Sequence, residues 1–192
     1  GRWSFPIPLP TYLAHQRLAA GARVGAVIAR AVPQPAKAVD LERYSGRWYE
    51  IARYETSFER GCEGVTAEYR LLESGGVEVI NSCRKGGPTG PLKMAKGRAK
   101  VVPGSGSAKL KVSFFGPFFG DYWVLDHAED YAWSIVGEPS GRYLWLLSRT
   151  AQPAPAIREV IANRVHELGY DPSLIRETQF LGFVACRLTS RP

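Results

Sequence analysis

The sequence predicts an all-β fold: an eight-stranded antiparallel up-and-down barrel with one C-terminal α-helix packed against its outside. Two observations predict this fold. From residue 41 onward, short runs of alternating polar and apolar residues recur about every ten residues, with turns rich in Gly, Pro and Ser between them. After the eighth run the apolar residues change to helical spacing. Aromatic residues make up 11% of the chain, and their place in short alternating runs favours strands over a helix bundle.

Three parts of the 192-residue chain differ in composition and in the spacing of their apolar residues. Residues 1–38 are predicted to be an N-terminal extension, in which prolines bracket a helix at about 11–31. That stretch is interpreted either as an amphipathic helix or as the remnant of a signal peptide, because Ala36-Lys37-Ala38 resembles a small-x-small cleavage site. Residues 39–179 form the predicted barrel domain, and residues 180–192 form a C-terminal tail without an assigned role.

The eight strands, called A to H here, follow one another along the barrel domain. They are predicted at 47–55, 64–73, 76–84, 93–102, 108–115, 120–126, 131–137 and 142–149. The helix is predicted at 154–168, because Ile157, Ile161 and Val165 repeat at helical spacing before Gly169. A short extended segment at 174–179 follows it.

Strand A assigns side chains to two faces. Strict alternation places Trp48, Glu50, Ala52 and Tyr54 on the inner face, and places Tyr49, Ile51 and Arg53 on the outer face, where the helix covers Tyr49 and Ile51. A buried Glu50 carboxylate needs a polar partner, and we expect Arg149 or an inner tyrosine.

Strand E shows the clearest inner face. Its lysines must face water, so Leu110, Val112 and Phe114 point into the barrel. The orientation of strands G and H remains open, because both of their faces are apolar. The candidate ligand-binding residues, which would make an apolar, aromatic-walled cavity, are Leu110, Val112, Phe114, Trp123, Trp133, Trp145 and Tyr54.

The open end of the barrel is expected where loops A–B, C–D, E–F and G–H meet. The E–F loop concentrates aromatic residues, Phe115, Phe118 and Phe119, which either fold inward and plug the barrel or form a portal toward ligand, membrane or a second subunit. Arg60, Lys85 and Arg142 fall near the same rim and suit an anionic head group.

Charge and cysteine content restrict the class of protein. The net charge of +7 comes from scattered basic residues without a basic block, so we expect no nucleic-acid partner.

The cysteines predict one disulfide, because counting back from the B–C turn brings Cys62 opposite Cys83. Cys186 would be unpaired in that case, and two free thiols at Cys62 and Cys83 remain the alternative. The three histidines are far apart, and no metal site, cofactor or catalytic motif is predicted.

Two segments together resemble the lipocalins. Gly46-Arg47-Trp48 resembles the G-x-W motif of that family's first strand, and residues 143–150 resemble its last strand, which ends in an arginine packed over the tryptophan. Glu129-Asp130-Tyr131 resembles the T-D-Y motif, with Glu in place of Thr. Longer matches at 58–61 and 110–118 are most similar to the bacterial lipocalins, the group that also resembles apolipoprotein D. The resemblance implies structural roles for Gly46, Trp48, Asp130, Tyr131 and Arg149.

The resemblance implies a non-enzymatic protein that binds, stores or transports a hydrophobic ligand, a fatty acid or a lysophospholipid, in the cell envelope. Contact with a membrane surface and a homodimer through the E–F loop are further expected partners. A periplasmic or outer-membrane-associated location is predicted, with a cytoplasmic one as the alternative, and no lipobox cysteine lies near the start of the sequence. Two other functions remain open: an enzyme or pigment- or haem-binding protein on the same barrel, and an interaction protein that uses the basic surface and the N-terminal extension.

Overall fold

The computed structural model describes residues 32–181. The predicted helix at 11–31 and Cys186 lie outside the described residues. The helices are α1 (Leu41–Tyr44) and α2 (Pro155–Glu167), with a 3-10 turn at Pro172–Leu174. The strands are β1 (Gly46–Tyr54), β2 (Cys62–Leu71), β3 (Val77–Lys85), β4 (Leu92–Val101), β5 (Lys109–Phe115), β6 (Phe118–His127), β7 (Trp133–Gly137), β8 (Leu144–Ser148) and β9 (Ile175–Glu177).

Strands β1 to β8 form a closed antiparallel barrel in sequence order, which confirms the predicted fold. The first half of β1 pairs with β2 and the second half with β8, so β1 closes the barrel. Where β1 leaves β2, the short strand β9 pairs with Ala52–Tyr54. None of the helices within residues 32–181 has the length and apolar character needed to cross a membrane.

The closed end is built around Trp48, which is fully buried in the barrel core. Its indole Nε1 donates to the carbonyl oxygen of Tyr44, the last residue of α1. The short helix α1 was not expected from the sequence; Asp40 caps it by accepting from the backbone N–H groups of Glu42 and Arg43. Gly46 has φ +94°, a conformation that favours glycine, and this leads the chain directly from α1 into β1.

Tyr131 and Asp130 shape the β6–β7 turn beside this end. Tyr131 adopts φ +58°, and its hydroxyl accepts from the backbone N–H of Asp40. The Asp130 carboxylate accepts from the N–H of Ala132. Glu129, which replaces the threonine of the motif, forms an ion pair with Lys37 of the N-terminal segment. The turn therefore ties that segment to the barrel.

The predicted alternation of strand A holds as far as Ile51 and is wrong from Ala52 onward. A bulge at Ile51 shifts the pairing of β1 with β8, so that Ile51 and Ala52 both face outward. Arg53 consequently points inward and is fully buried, whereas Tyr54 points outward. A bulge adds one residue to a strand and so reverses the faces of all residues that follow.

A second apolar cluster lies between the barrel wall and α2. Ile161 and Val165 of the helix are buried in the same cluster as Ile51, Trp133 and Tyr170. Ile51 is therefore covered as predicted, but Tyr49 instead packs edge-on against Phe180, with ring centroids 5.7 Å apart. This cluster also settles the open question of strand parity, because one face of β7 and β8 packs under the helix and the other faces the barrel interior.

The disulfide between Cys62 and Cys83 is present, as predicted. It links the start of β2 to β3, with the two Cα atoms 5.4 Å apart. Both cysteines are buried with Val65 in a small cluster of their own. The bond joins the two strands of the β2–β3 hairpin at the end that follows the β1–β2 loop.

Candidate functional site

The barrel encloses a cavity of about 430 Å³ that opens at the end opposite Trp48. Its wall is formed by inward side chains of most strands, and its rim by the loops before β2 and before β8. The lining residues are Glu50, Phe58, Glu59, Val65, Thr66, Ala67, Tyr69, Val79, Asn81, Val112, Phe114, Phe119, Gly120, Asp121, Tyr122, Glu138, Pro139, Ser140, Arg142, Tyr143, Trp145 and Leu147. A cavity of this size suits one small ligand.

Three of the seven predicted ligand-binding residues line this cavity: Val112, Phe114 and Trp145. Leu110 also points inward, as the strand E pattern predicted, but it lies deeper and borders a much smaller void near the closed end. Strand β5 therefore follows its predicted alternation over all three inward residues.

The other predicted ligand-binding residues, Tyr54, Trp123 and Trp133, lie on the outer face of the barrel, which corrects their expected position. Each packs in the cluster beneath α2 or at its edge. The Tyr54 ring packs edge-on against Tyr170, and its hydroxyl donates to the carbonyl of Asp171. The bulge in β1 accounts for Tyr54, and the alternation of β6 and β7 accounts for the two tryptophans.

Aromatic rings form one wall of the cavity near its mouth. Tyr143 and Trp145 are stacked, with an interplanar angle of 8° and centroids 5.8 Å apart. Phe58, from the loop after β1, packs at a tilt against Tyr143. Flat apolar surfaces of this kind can contact an acyl chain or another apolar ligand along its length.

A buried ion pair lies in the wall beneath these rings. Glu50 points inward as predicted, but its partner is neither Arg149 nor a tyrosine. Its carboxylate accepts from Arg53 at 2.7 Å and from the hydroxyl of Thr178 at 2.6 Å. The Arg53 guanidinium also donates to the Glu55 carboxylate and to the carbonyl oxygens of Glu59 and Cys62. The charge of Arg53 is thus fully hydrogen-bonded inside the protein.

Glu59 is a second buried carboxyl group next to Glu50. It accepts from Trp145 Nε1 at 2.9 Å and from the hydroxyl of Thr56 at 3.3 Å, which are both neutral donors. Burial, followed by the nearby charge of Glu50, raises the pKa of Glu59 to about 8. Burial raises the pKa of Glu50 as well. Since Arg53 donates directly to the Glu50 carboxylate and not to that of Glu59, we assign the proton of this pair to Glu59 at neutral pH. The cavity wall is then close to neutral.

Tyrosine hydroxyls form the floor of the cavity. Tyr69 donates to the hydroxyl of Tyr122 at 2.8 Å, and Tyr44 is hydrogen-bonded to Tyr122 and to Ser134. Burial raises the pKa of Tyr44 to about 12 and raises those of Tyr69 and Tyr122 further above their usual value. These hydroxyls therefore remain protonated and are hydrogen-bonded to one another or to Ser134, so the floor of the cavity carries no charge.

The predicted mouth residues are distributed around the rim. Phe119 and Arg142 border the cavity, although the Phe119 ring also lies next to the exposed cations Arg98 and Lys100. Phe115 and Phe118 are exposed on either side of a two-residue turn. The interpretation in which the aromatic residues plug the barrel is therefore wrong for Phe115 and Phe118. Lys85 donates to the carbonyl of Arg60, and the Arg60 side chain is exposed to solvent.

Several lining residues were missed by the sequence analysis. Ala67, Tyr69 and Val79 alternate along β2 and β3, and this pattern could have identified them. Glu59 and Phe58 lie on a loop and carry no such signal. Asn81 is distinctive because its Oδ1 atom is buried and finds no hydrogen-bond partner in the described part of the chain. Within residues 32–181, no group of three or more His, Cys, Asp or Glu residues is arranged to hold a metal ion.

Comparison with known proteins identifies similar sequences. The model of the lipocalin-like domain family matches residues 39–179. The chain is 43% identical over 139 residues to the outer membrane lipoprotein Blc of Vibrio cholerae, covering 72% of this chain and 81% of that protein. It is 39% identical over 153 residues to Blc of Escherichia coli K12, covering 77% and 86%. Mouse apolipoprotein D is 39% identical over 110 residues, which is 56% of this chain and 54% of that protein.

Solved structures support the same fold at lower sequence similarity. Insecticyanin from the tobacco hornworm Manduca sexta superposes with a TM-score of 0.63 at 22% identity, covering 78% of this chain and 84% of that one. Lobster apocrustacyanin A1 gives a TM-score of 0.58 at 15% identity, covering 79% and 92%. At these identities the likeness concerns the barrel architecture and not the ligand.

Proposed function

Since the chain belongs to the lipocalin family, whose barrels bind hydrophobic ligands, we propose that its cavity binds a fatty acid or a lysophospholipid through the acyl chain. The observation that carries this proposal is the cavity of about 430 Å³, closed at one end by tyrosines and walled by apolar and aromatic side chains. The ionic groups in the wall favour the proposal, because Glu50 is neutralised by Arg53 and Glu59 holds its proton. An acyl chain therefore meets no uncompensated charge from these two carboxyl groups.

The head group is proposed to lie at the rim beside Arg142. This arginine is exposed at the mouth and also lines the cavity, so its guanidinium can reach a carboxylate or phosphate without being buried. Arg60, on the loop before β2, and Lys85, the last residue of β3, add positive charge at the same end of the barrel. Asn81 favours a lysophospholipid over a simple fatty acid, since its unpaired acceptor oxygen would accept from a free hydroxyl of the ligand.

The cell envelope is the proposed location. The similarity to the Vibrio cholerae and Escherichia coli outer membrane lipoproteins supports an envelope role, and the Cys62–Cys83 disulfide is a feature of oxidising compartments. The activity is proposed to be binding and transport without catalysis.

A fluorescence titration tests the ligand. Trp145 lines the cavity, so fatty acids and lysophospholipids of increasing chain length should quench its emission. Affinity should rise about fourfold per methylene, from about 0.8 kcal/mol each, until the cavity is full. Salt should weaken binding only modestly, because the main contribution is apolar. Trp145→Phe should remove the quenching, whereas Trp133→Phe, on the outer face, should retain it.

A cavity-filling variant makes the test specific. Ala67→Phe places a ring inside the cavity and should shift the preferred ligand to shorter chains. Ala162→Phe, on the exposed side of α2, is the matched control and should leave the preference unchanged. Affinity that does not depend on chain length, or equal binding of a short polar anion, would contradict the proposal.

A further inference from the structure

The outer face of β4 carries an exposed row of side chains that runs away from the barrel mouth. Leu92 and Met94, nearest the mouth, are 52% and 61% exposed. Lys96, Arg98 and Lys100 continue the row and are exposed as well. Large apolar side chains are seldom left in water next to one another without a role. The row therefore has an apolar half at the mouth and a cationic half behind it.

Two phenylalanines of the neighbouring hairpin extend the apolar half. Phe115 and Phe118 pair across the turn between β5 and β6 and are 56% and 51% exposed. Gly116 and Pro117 make the turn, so both rings project from the tip of a hairpin. Four of the most exposed large apolar side chains among the described residues thus lie on one side of the open end.

A cleft separates β4 from this hairpin. β4 pairs with β5 only over Arg98–Val101, and its residues 92–97 pair with β3 alone. The cleft has a volume of about 410 Å³ and is lined by Lys96, Gly97, Arg98, Phe114 and Phe115 together with other side chains. Phe114 also lines the main cavity, and its ring fills the space beside Gly97, where a Cβ atom would lie 2.6 Å from Phe114 Cδ1. One aromatic ring therefore borders both the cleft and the main cavity.

The charges around the cleft are only partly compensated. Lys96 pairs with Glu78, and Lys111 pairs with Asp121 at 2.7 Å. Within the described residues, Arg98 and Lys100 have no carboxylate at ion-pair distance. Their charged groups instead lie 5.8 and 5.4 Å from the ring centroid of Phe119. Two cations next to a projecting apolar edge are complementary to an anionic interface.

We propose that this rim surface, made of Leu92, Met94, Phe115 and Phe118 with Arg98 and Lys100, docks on a bilayer that contains anionic lipids. The four apolar side chains enter the interface while the two cations contact lipid phosphates. Docking brings the cleft and the open end against the membrane, where an acyl ligand resides. The inference rests on the proposed function in that the membrane is the source or destination of the ligand.

Sedimentation with vesicles tests the docking, using the full 192-residue chain. The protein should bind vesicles of phosphatidylcholine mixed with phosphatidylglycerol and bind pure phosphatidylcholine much less. Arg98→Gln with Lys100→Gln should lower the partition coefficient about 25-fold, roughly fivefold for each cation. Phe115→Ser with Phe118→Ser should lower it at least about tenfold.

Matched pairs elsewhere on the barrel serve as controls. Arg47→Gln with Arg70→Gln removes the same charge from exposed positions on other strands, and Val160→Ser with Leu174→Ser removes exposed apolar groups on the helix side. Both controls should keep vesicle binding within about twofold of the parent. Equal losses in test and control pairs, or binding that is independent of phosphatidylglycerol, would overturn the proposal.

Two further measurements separate the alternatives. If the parent chain ignores vesicles but sediments as a dimer that Phe115→Ser with Phe118→Ser dissociates, the rim surface is a dimer interface and the proposal fails. Fatty-acid titration without vesicles should be unchanged in Arg98→Gln with Lys100→Gln. If the parent binds no fatty acid while the rim variants still lose vesicle binding, docking stands and only the proposed ligand is wrong.

Discussion

The guanidinium of Arg149 lies over the indole of Trp48, with its central carbon 3.7 Å from the ring centroid. The same guanidinium donates to three backbone carbonyl oxygens, of Arg43, Arg47 and Tyr131. It therefore ties α1, β1 and the β6–β7 turn to a single point at the end of β8. This one contact closes the barrel opposite the ligand cavity.

Loss of this contact should destabilise the protein. Trp48→Ala should lower the free energy of unfolding by about 3–5 kcal/mol, because it removes a fully buried ring and leaves a cavity. Arg149→Met should lower it by at least about 1–2 kcal/mol, because it removes the cation–π contact together with three hydrogen bonds to backbone carbonyls. Urea unfolding measures both, with the exposed Arg47→Met as control. Full additivity in the double variant would show that the two side chains are not coupled.

The disulfide should contribute measurably to stability. Cys62 and Cys83 are 21 residues apart, and closing a loop of that length is worth about 3 kcal/mol. Cys62→Ser with Cys83→Ser should therefore lower the free energy of unfolding by that amount. In the unreduced, denatured parent chain, thiol labelling should detect one cysteine, Cys186. Detection of three thiols would mean that the bond does not form in solution.

The buried Arg53 should stabilise the protein mainly because it compensates the buried charge of Glu50. Arg53→Met leaves the Glu50 carboxylate buried without its cation, which should cost about 3–5 kcal/mol. Replacing Glu50 by Leu in the same chain removes the orphaned charge, so the double variant should recover much of that loss. Thermal and urea unfolding of the parent and these two variants measure it. A double variant less stable than Arg53→Met would contradict this account.

Glu59 should make stability depend on pH. Its native pKa, about 8, lies above the usual value of 4.5, so the folded protein binds the proton more tightly than the unfolded chain does. The resulting stabilisation is fully present below about pH 4.5 and is lost as the pH rises through about 8.

Glu59→Gln should remove this dependence while keeping an acceptor for Trp145. Between about pH 5 and pH 8.5, the parent should lose at least about 1.4 kcal/mol more of its unfolding free energy than the variant does. Urea unfolding at the two pH values measures the difference, and Glu68→Gln, on the outer face of β2, is the control. If the free energy of unfolding changes equally with pH in the parent and in Glu59→Gln, the proton is not held by Glu59.

Local sequence patterns were sufficient to predict the strand order and the inner face of β5, and the resemblance to the lipocalins predicted the closing contact. Strands repeat with a period of two, so Leu110, Val112 and Phe114 could be assigned to the interior once Lys109 and Lys111 had to face water. The position of the Trp48–Arg149 contact came from motifs at both ends of the barrel. The disulfide followed from counting residues across one hairpin. Each of these features depends either on residues that are close in sequence or on a pair of motifs that the family places in contact.

The faces that the remaining tryptophans occupy, and the partner that neutralises Glu50, depend on contacts between segments that are distant in sequence. Both faces of β7 and β8 are apolar, because one packs in the barrel and the other under α2, so periodicity does not distinguish Trp133 from Trp145. The bulge at Ile51 arises where β1 pairs with β8, nearly a hundred residues away in sequence, and it turns Arg53 inward and Tyr54 outward. A register shift of one residue reverses every later side chain, and it is set by how the barrel closes rather than by the local sequence.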